Sequence, residues 1–155
     1  MLSIVIEFAD MLLASLLVGS IFGIWFLLNP AGLDAASYIL LQQQAIRRLN
    51  RVLPALGMIT VLMTIGSAVL ARREGMRLDV LIAAVVCFAA AGLITRFLNQ
   101  PLNAIVMTWS CNSPPANWTG MRDRWWQGHL ARLVAGLGGL CLLIAATLMG
   151  RSSAI

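Results

Sequence analysis

The sequence predicts an all-α membrane protein, a four-helix transmembrane bundle with an extra interfacial or extended helix after the first span. Three observations carry that expectation. The 155 residues are 60% hydrophobic and 11% charged, with a mean hydropathy of +0.87, whereas soluble domains carry roughly 25% charged residues. Four apolar stretches reach the ~20 residues that a helix needs to cross hydrocarbon. No segment alternates polar and apolar residues as a half-buried strand would. One integral membrane domain is therefore expected over 1–155.

The first span covers about 4–28 and stops at Asn29-Pro30, because proline cannot continue the helical hydrogen-bond ladder. Its start lacks a basic region and a small-residue cleavage site, so the run is expected to be retained as a helix. Asp34 to Arg51 forms a second helical pattern, with Tyr38, Gln42, Gln43, Gln44, Arg47, Arg48 and Arg51 along it. Three placements are open for it: a kinked extension through Pro54 into the next span, a helix lying in the headgroups, or a polar face closing the bundle mouth. The remaining spans fall at about 53–71, 78–98 and 129–150. The third connection, Asn99 to Gly128, is the longest. Pro114-Pro115 fixes a turn within it, and Thr119 is suited to cap the last helix, with Asp123 in its first turn. Two small-residue ridges, Ser15-Gly19-Gly23 and Ala131-Ala135-Gly139, suggest close helix approach.

All eleven basic residues are arginine, and the net charge is +5. Loops near anionic headgroups explain this excess, so membrane lipid is an expected partner and nucleic acid is not. The even number of spans puts Arg72, Arg73, Arg77 and Arg151 on one side of the membrane. Arg47, Arg48, Arg51, Arg96, Arg122, Arg124 and Arg132 fall on the other, which a plain count makes cytoplasmic. Arginines that serve a site would mislead that count, so the orientation stays open. A bacterial inner membrane is the expected location.

Cys87, Cys111 and Cys141 fit neither a disulfide framework nor a metal knuckle. With a single histidine, His129, the chain also lacks ligands for zinc, di-iron or a bis-histidine haem. No metal or cofactor is expected.

Chemistry concentrates in the stretch from Trp118 to Arg132. At helical spacing Arg122, Trp125, His129 and Arg132 share one face, as i, i+3, i+7 and i+10. Arg96 closes the third span at the same membrane side, and Asn99 and Asn103 follow it at i+3 and i+7. Two polar stripes thus end at one mouth, with Trp109 and Trp118 in the loop between them. Ionisable groups at the edge of a span are expensive and point to a site; the bland alternative is an interfacial anchor of tryptophan and arginine. Trp25 and Trp126 are read as such anchors. Glu7 and Asp10, at the opposite side, are read as ion-pair partners of Arg72, Arg73 or Arg77, with a proton or cation site as the alternative.

The pattern Asn99-x-Pro101-x-Asn103, Trp109, a proline turn before Trp118, then Arg122-x-x-Trp125-x-x-x-His129-x-x-Arg132 resembles the anthrone-oxygenase-like family of small integral membrane proteins. The resemblance extends to the four spans and the helix after the first. It implies a cofactor-independent oxygenase that converts anthrones, polycyclic phenolic ketones, to anthraquinones with dioxygen. Carried over, it makes Trp125, His129 and Arg132 the catalytic candidates and Asn99, Asn103, Trp109, Trp118 and Arg122 pocket or supporting residues. The residue types suit that chemistry: histidine as a base near neutrality, arginine to stabilise a developing phenolate, and tryptophan as a flat apolar wall.

Two other functions compete with a small membrane oxidoreductase acting on an anthrone-like or quinone-like molecule. One is a transporter or lipid- or quinone-binding protein coupled to protons through Glu7 or Asp10. The other is an accessory subunit, for which the small-residue ridges fit a homo-oligomer or a larger membrane complex. A cavity confined to the His129 end favours the first reading, and one running through to Glu7 favours the transporter.

Overall fold

The computed structural model describes residues 2–152. Helix α1 spans Leu2–Leu27 and ends just before Asn29-Pro30, as the proline requires. A turn through Gly32, at φ +79°, leads to Asp34, whose carboxylate accepts from the Ser37 amide at 3.0 Å and the Ser37 hydroxyl at 2.7 Å. That cap starts α2, Ala35–Leu49. A two-residue break at Asn50-Arg51 separates it from α3, Val52–Leu70, so α2 is not an extension of the second span. Pro54 sits in the first turn of α3, where its missing N–H is harmless.

Helix α4, Met76–Ile94, continues through a π-helical turn at Thr95–Asn99 into α5, Gln100–Val106. Pro101 has no N–H to offer the carbonyl four residues back, and its ring crowds that carbonyl. The wide turn immediately before it relieves this conflict. After a loop, α6 runs from Trp118 to Ser152. It starts eleven residues before the expected span, so Thr119 lies inside the helix rather than at its cap.

Four helical stretches are long and apolar enough to cross a membrane: Ser3–Leu27, Val52–Leu70, Met76–Val106 and Trp118–Gly150. They pack in a ring, α1 on α3, α3 on α4, α4 on α6 and α6 back on α1. Ala14, Leu17, Val18, Ala68, Leu81, Ala84, Phe88, Leu133 and Leu143 fill the centre. Phe8, Phe26, Leu62, Val86 and Val134 point outward, as a lipid-facing belt requires. Among the described residues there is no strand, only an isolated bridge between Ser110 and Ser113.

One of the two small-residue ridges proves to be outside the packing. A Cβ added at Gly19 or Gly23 would meet nothing within 4 Å, because this side of α1 is turned away from the other helices. In the second ridge only Gly139 is tight, with Phe88 Cε1 2.8 Å from where its Cβ would lie.

The end bearing the start of α1 is closed by polar contacts. Glu7 pairs with Arg77 at 2.6 Å, and Arg77 also donates to Glu74 at 2.6 Å and to the Ala146 carbonyl at 3.1 Å. The expected ion pair holds for Glu7 but not for Asp10. Asp10 is fully buried and accepts from Thr64 at 2.9 Å and Ser67 at 2.7 Å. Short hydroxyl side chains of α3, not an arginine, reach it at that depth.

Candidate functional site

The opposite end collects the residues singled out from the sequence. Here α1 ends, α3 begins, α4 turns into α5, and α6 enters the bundle. A narrow cleft lies among these ends. Ile24, Leu28, Ile46, Leu49, Leu53 and Pro54 supply apolar walls, and Gln42, Asn50, Thr95, Asn103, Trp125 and Arg132 supply the polar and aromatic groups. Of the three placements open to α2, closing the mouth is the one found: Tyr38, Ile39, Gln42 and Ile46 are its buried face. Gln43 ties it to α5 by donating to the carbonyls of Val106 at 3.0 Å and Trp109 at 2.9 Å.

Trp125, His129 and Arg132 come together as the spacing indicated, all of them buried. Arg132 donates from Nε at 3.1 Å and from Nη2 at 2.9 Å to Nδ1 of His129. A guanidinium has only donors, so Nδ1 is the acceptor and a neutral His129 ring carries its proton on Nε2. That Nε2 is buried and unpartnered. The ring lies nearly parallel beside two indoles, 5.5 Å from Trp125 at 5° and 5.3 Å from Trp126 at 25°, the indoles themselves being 6.4 Å apart. Trp126 thus touches the site through His129, although it does not line the cleft.

Arg132 lines the cleft while His129 sits behind it. Among the described residues no carboxylate pairs with Arg132; its hydrogen bonds go to His129. A buried cation without a counter-ion in a membrane protein is costly. Its unused N–H donors are available to an anionic or carbonyl oxygen entering the cleft.

The two asparagines hold Trp125, one by its backbone and one by its indole. Asn99 donates to the Trp125 carbonyl at 3.0 Å, and Trp125 Nε1 donates to Asn103 Oδ1 at 2.8 Å. Asn103 in turn donates to Asn50 Oδ1 at 2.9 Å. Gly128 makes room for this arrangement, since a Cβ there would stand 3.1 Å from Asn99 Oδ1. Asn103 reaches the cleft; Asn99 lies behind it, completely buried.

Several candidates are placed elsewhere. Arg96 is exposed and reaches only Gln100, at 3.5 Å. The π-helical turn begins one residue before it and rotates the chain less per residue than an α-turn does. Three residues therefore no longer bring Arg96 back over Asn99. Arg122 pairs with Asp123 at 2.8 Å and lies over the Trp118 ring at 5.1 Å, outside the cleft. Trp118 packs 5.8 Å from Tyr38. Trp109 contributes its carbonyl to Gln43 rather than a wall to the cleft.

Sequence reasoning did not assign Tyr38, Gln42, Asn50 or Thr95 to the site. A second cleft adjoins the first and shares Leu28 and Gln42 with it. Tyr38 lines it. The Tyr38 phenol is pushed up to about 12, chiefly by burial, with Arg122 opposing and Asp123 adding to the shift. The available signal was the i, i+4 spacing of Tyr38 and Gln42 on an otherwise apolar helix face.

Four membrane-length helices around a mouth closed by α2 and α5 define a multi-pass integral membrane protein. The chain belongs to the anthrone oxygenase family, whose model matches residues 43–142. The match takes in the asparagines and the Trp125–His129–Arg132 group, and begins one residue after Gln42. No curated protein and no solved structure gives a match.

Proposed function

We propose that the protein is a cofactor-independent oxygenase of a bacterial inner membrane. Its substrate would be a lipophilic polycyclic phenolic ketone of the anthrone type. The observation that carries this reading is the buried Arg132, lining the cleft beside Trp125, with no carboxylate partner and with two of its donors held on His129. Such a cation suits an oxygen that becomes negative during reaction.

In this scheme the substrate's carbonyl oxygen draws the Arg132 guanidinium from His129, freeing Nδ1 to accept a proton from the substrate's methylene carbon. Arg132 holds the resulting phenolate. The electron-rich ring system gives one electron to dioxygen, the carbon radical and superoxide combine, and protonation yields a carbon-bound hydroperoxide. Removal of the second hydrogen from that carbon, with cleavage of the O–O bond, forms the new carbonyl and releases water. The sum is one anthrone and one dioxygen to one anthraquinone and one water, so no further reductant enters. Trp125 offers the flat face beside which the ring system would lie.

The cleft lining runs from the mouth only as far as Ile24, Leu53, Thr95 and Arg132 and includes neither Glu7 nor Asp10. This favours a site that turns over a molecule at one end of the bundle over a path across it. Oxygen uptake and quinone formation with 1,8-dihydroxyanthrone in detergent-solubilised protein test the reading. One dioxygen per quinone is expected, faster than the spontaneous reaction and without hydrogen peroxide release. A rate equal to the protein-free background would refute it.

A further inference from the structure

We propose that Tyr38 and Gln42 form a second oxygen-binding subsite, which holds the end of an aromatic ligand remote from Arg132. This deepens the reading above and rests on it for the class of ligand. The argument starts from two buried polar atoms that lack partners. Tyr38 Oη and Gln42 Nε2 are each enclosed and make no hydrogen bond, although their residues are only 2% and 3% exposed. A buried donor left unsatisfied is costly, so native proteins rarely keep one without a use.

The two side chains stand at i and i+4 on the buried face of α2, which sets their Cβ atoms about 5–6 Å apart. Both line the second cleft, and Gln42 also lines the first. Leu28 borders the two clefts as well, so they adjoin along an apolar wall, with Arg132 in the lining of one and Tyr38 in that of the other. A hydroxyl and an amide N–H offered to an apolar slot recognise an acceptor oxygen: a ring carbonyl or a phenolic oxygen. At any physiological pH the phenol remains protonated and able to donate. A rigid polycycle bearing oxygens at both ends would satisfy Arg132 at one end and the Tyr38–Gln42 pair at the other, while its hydrocarbon middle lies against Ile24, Leu28 and Trp125.

Tyr38 is the only tyrosine of the chain, which makes a direct test available. Full-length protein labelled with [13Cζ]tyrosine gives one tyrosine resonance. It would be titrated in nanodiscs with 1,8-dihydroxyanthraquinone and with anthracene, and binding would be followed independently by quenching of tryptophan fluorescence. The hydroxyquinone should move the resonance saturably, and anthracene should quench fluorescence without moving it. Tyr38→Phe and Gln42→Leu should each weaken hydroxyquinone binding roughly 3- to 10-fold and leave anthracene binding unchanged. Saturable hydroxyquinone binding with a stationary resonance and unaltered affinity in both variants would overturn the subsite while leaving the oxygenase reading intact. The expected binding pattern without turnover of 1,8-dihydroxyanthrone would instead remove the oxygenase reading alone. Binding of neither probe would overturn both.

Discussion

Arg132 and His129 are joined through a single nitrogen: Nδ1 of the imidazole accepts both Nε and Nη2 of the guanidinium, at 3.1 and 2.9 Å. The pair is one helical turn apart on α6, so backbone geometry fixes its register. The Trp125 and Trp126 rings hold the imidazole plane. Each partner thereby depends on the other for its orientation, and replacing either changes both.

If the pair performs the proposed proton transfer and phenolate stabilisation, His129→Ala should lower turnover of 1,8-dihydroxyanthrone on the order of 100- to 10,000-fold. His129→Gln retains an acceptor for Arg132 and fills part of the space beside the indoles. It should therefore fold normally, with a similar loss. Circular dichroism and oxygen uptake on the same samples check this; full activity in His129→Gln would remove the base from the scheme.

Arg132→Ala should reduce activity by roughly 100-fold or more, as loss of an oxyanion partner does elsewhere. Arg132→Lys should recover only part of it, because an ammonium lacks the planar fork that here grips one nitrogen from two positions. Steady-state kinetics should show the deficit mainly in kcat; a lysine variant equal to the native protein would argue for a simple point charge.

The glycine ridges should separate cleanly in a thermal melt. Gly139→Ala places a methyl 2.8 Å from Phe88 Cε1 and should destabilise the bundle by about 1–3 kcal/mol. Gly19→Ala meets nothing within 4 Å and should leave the midpoint unchanged or slightly raised, since alanine is the better helix former. Equal midpoints for the two variants would contradict the packing described for α4 and α6.

At the other end of the bundle, Asp10→Ala removes the acceptor for the Thr64 and Ser67 hydroxyls. It should lower stability by about 1–3 kcal/mol in the same melt. Glu7→Gln should be nearly silent in the turnover assay, because Glu7 and the cleft lie at opposite ends of α1. A Glu7→Gln variant with severely reduced turnover would revive a path running through the membrane.

Acid should loosen α2 before the spans. Asp34 has its carboxyl held below its ordinary value of 3.8, first by the Ser37 amide and then by the Ser37 hydroxyl. Its contribution is therefore complete above that value and is lost as pH falls through the lower folded value. As pH falls below 3.8 the single-tyrosine signal of Tyr38, one turn along α2, should change; in Asp34→Asn that acid transition should shrink. An identical transition in the variant would assign it to another group.

The spans were legible because hydrocarbon thickness imposes a length that composition alone reveals, and α2 because Asp34 announces a cap before a helical pattern. The Trp125–His129–Arg132 face was legible for a similar reason: α6 is regular there, so spacing translates into direction. Arg96 was misplaced because the π-helical turn breaks that translation, and no count of three or four residues anticipates it. Its cause, Pro101, stood in the sequence, but proline can also end or kink a helix. The start of α6 was legible to within about a residue, because Thr119 was expected as its cap and the helix begins at Trp118; hydropathy alone marks only the apolar part from 129 onward. Tyr38 and Gln42 were passed over because their role depends on where α2 lies over the mouth, a tertiary fact that the helix's own pattern leaves open.

The wide turn at Thr95–Asn99 lets two parts of one long helix answer to different neighbours. On its membrane side, Leu81, Ala84, Phe88 and Ala91 keep the register that meets α6; beyond it, Asn99 and Asn103 take the register that meets Trp125. Winding the same five residues as regular α-helix would swing the asparagines by roughly 90° away from Trp125. The span would still cross the bilayer and the bundle would still assemble, but the mouth would lose its alignment. Five residues thus uncouple the molecule's architecture from its aim, leaving the span free to vary in sequence without disturbing the asparagines beyond it.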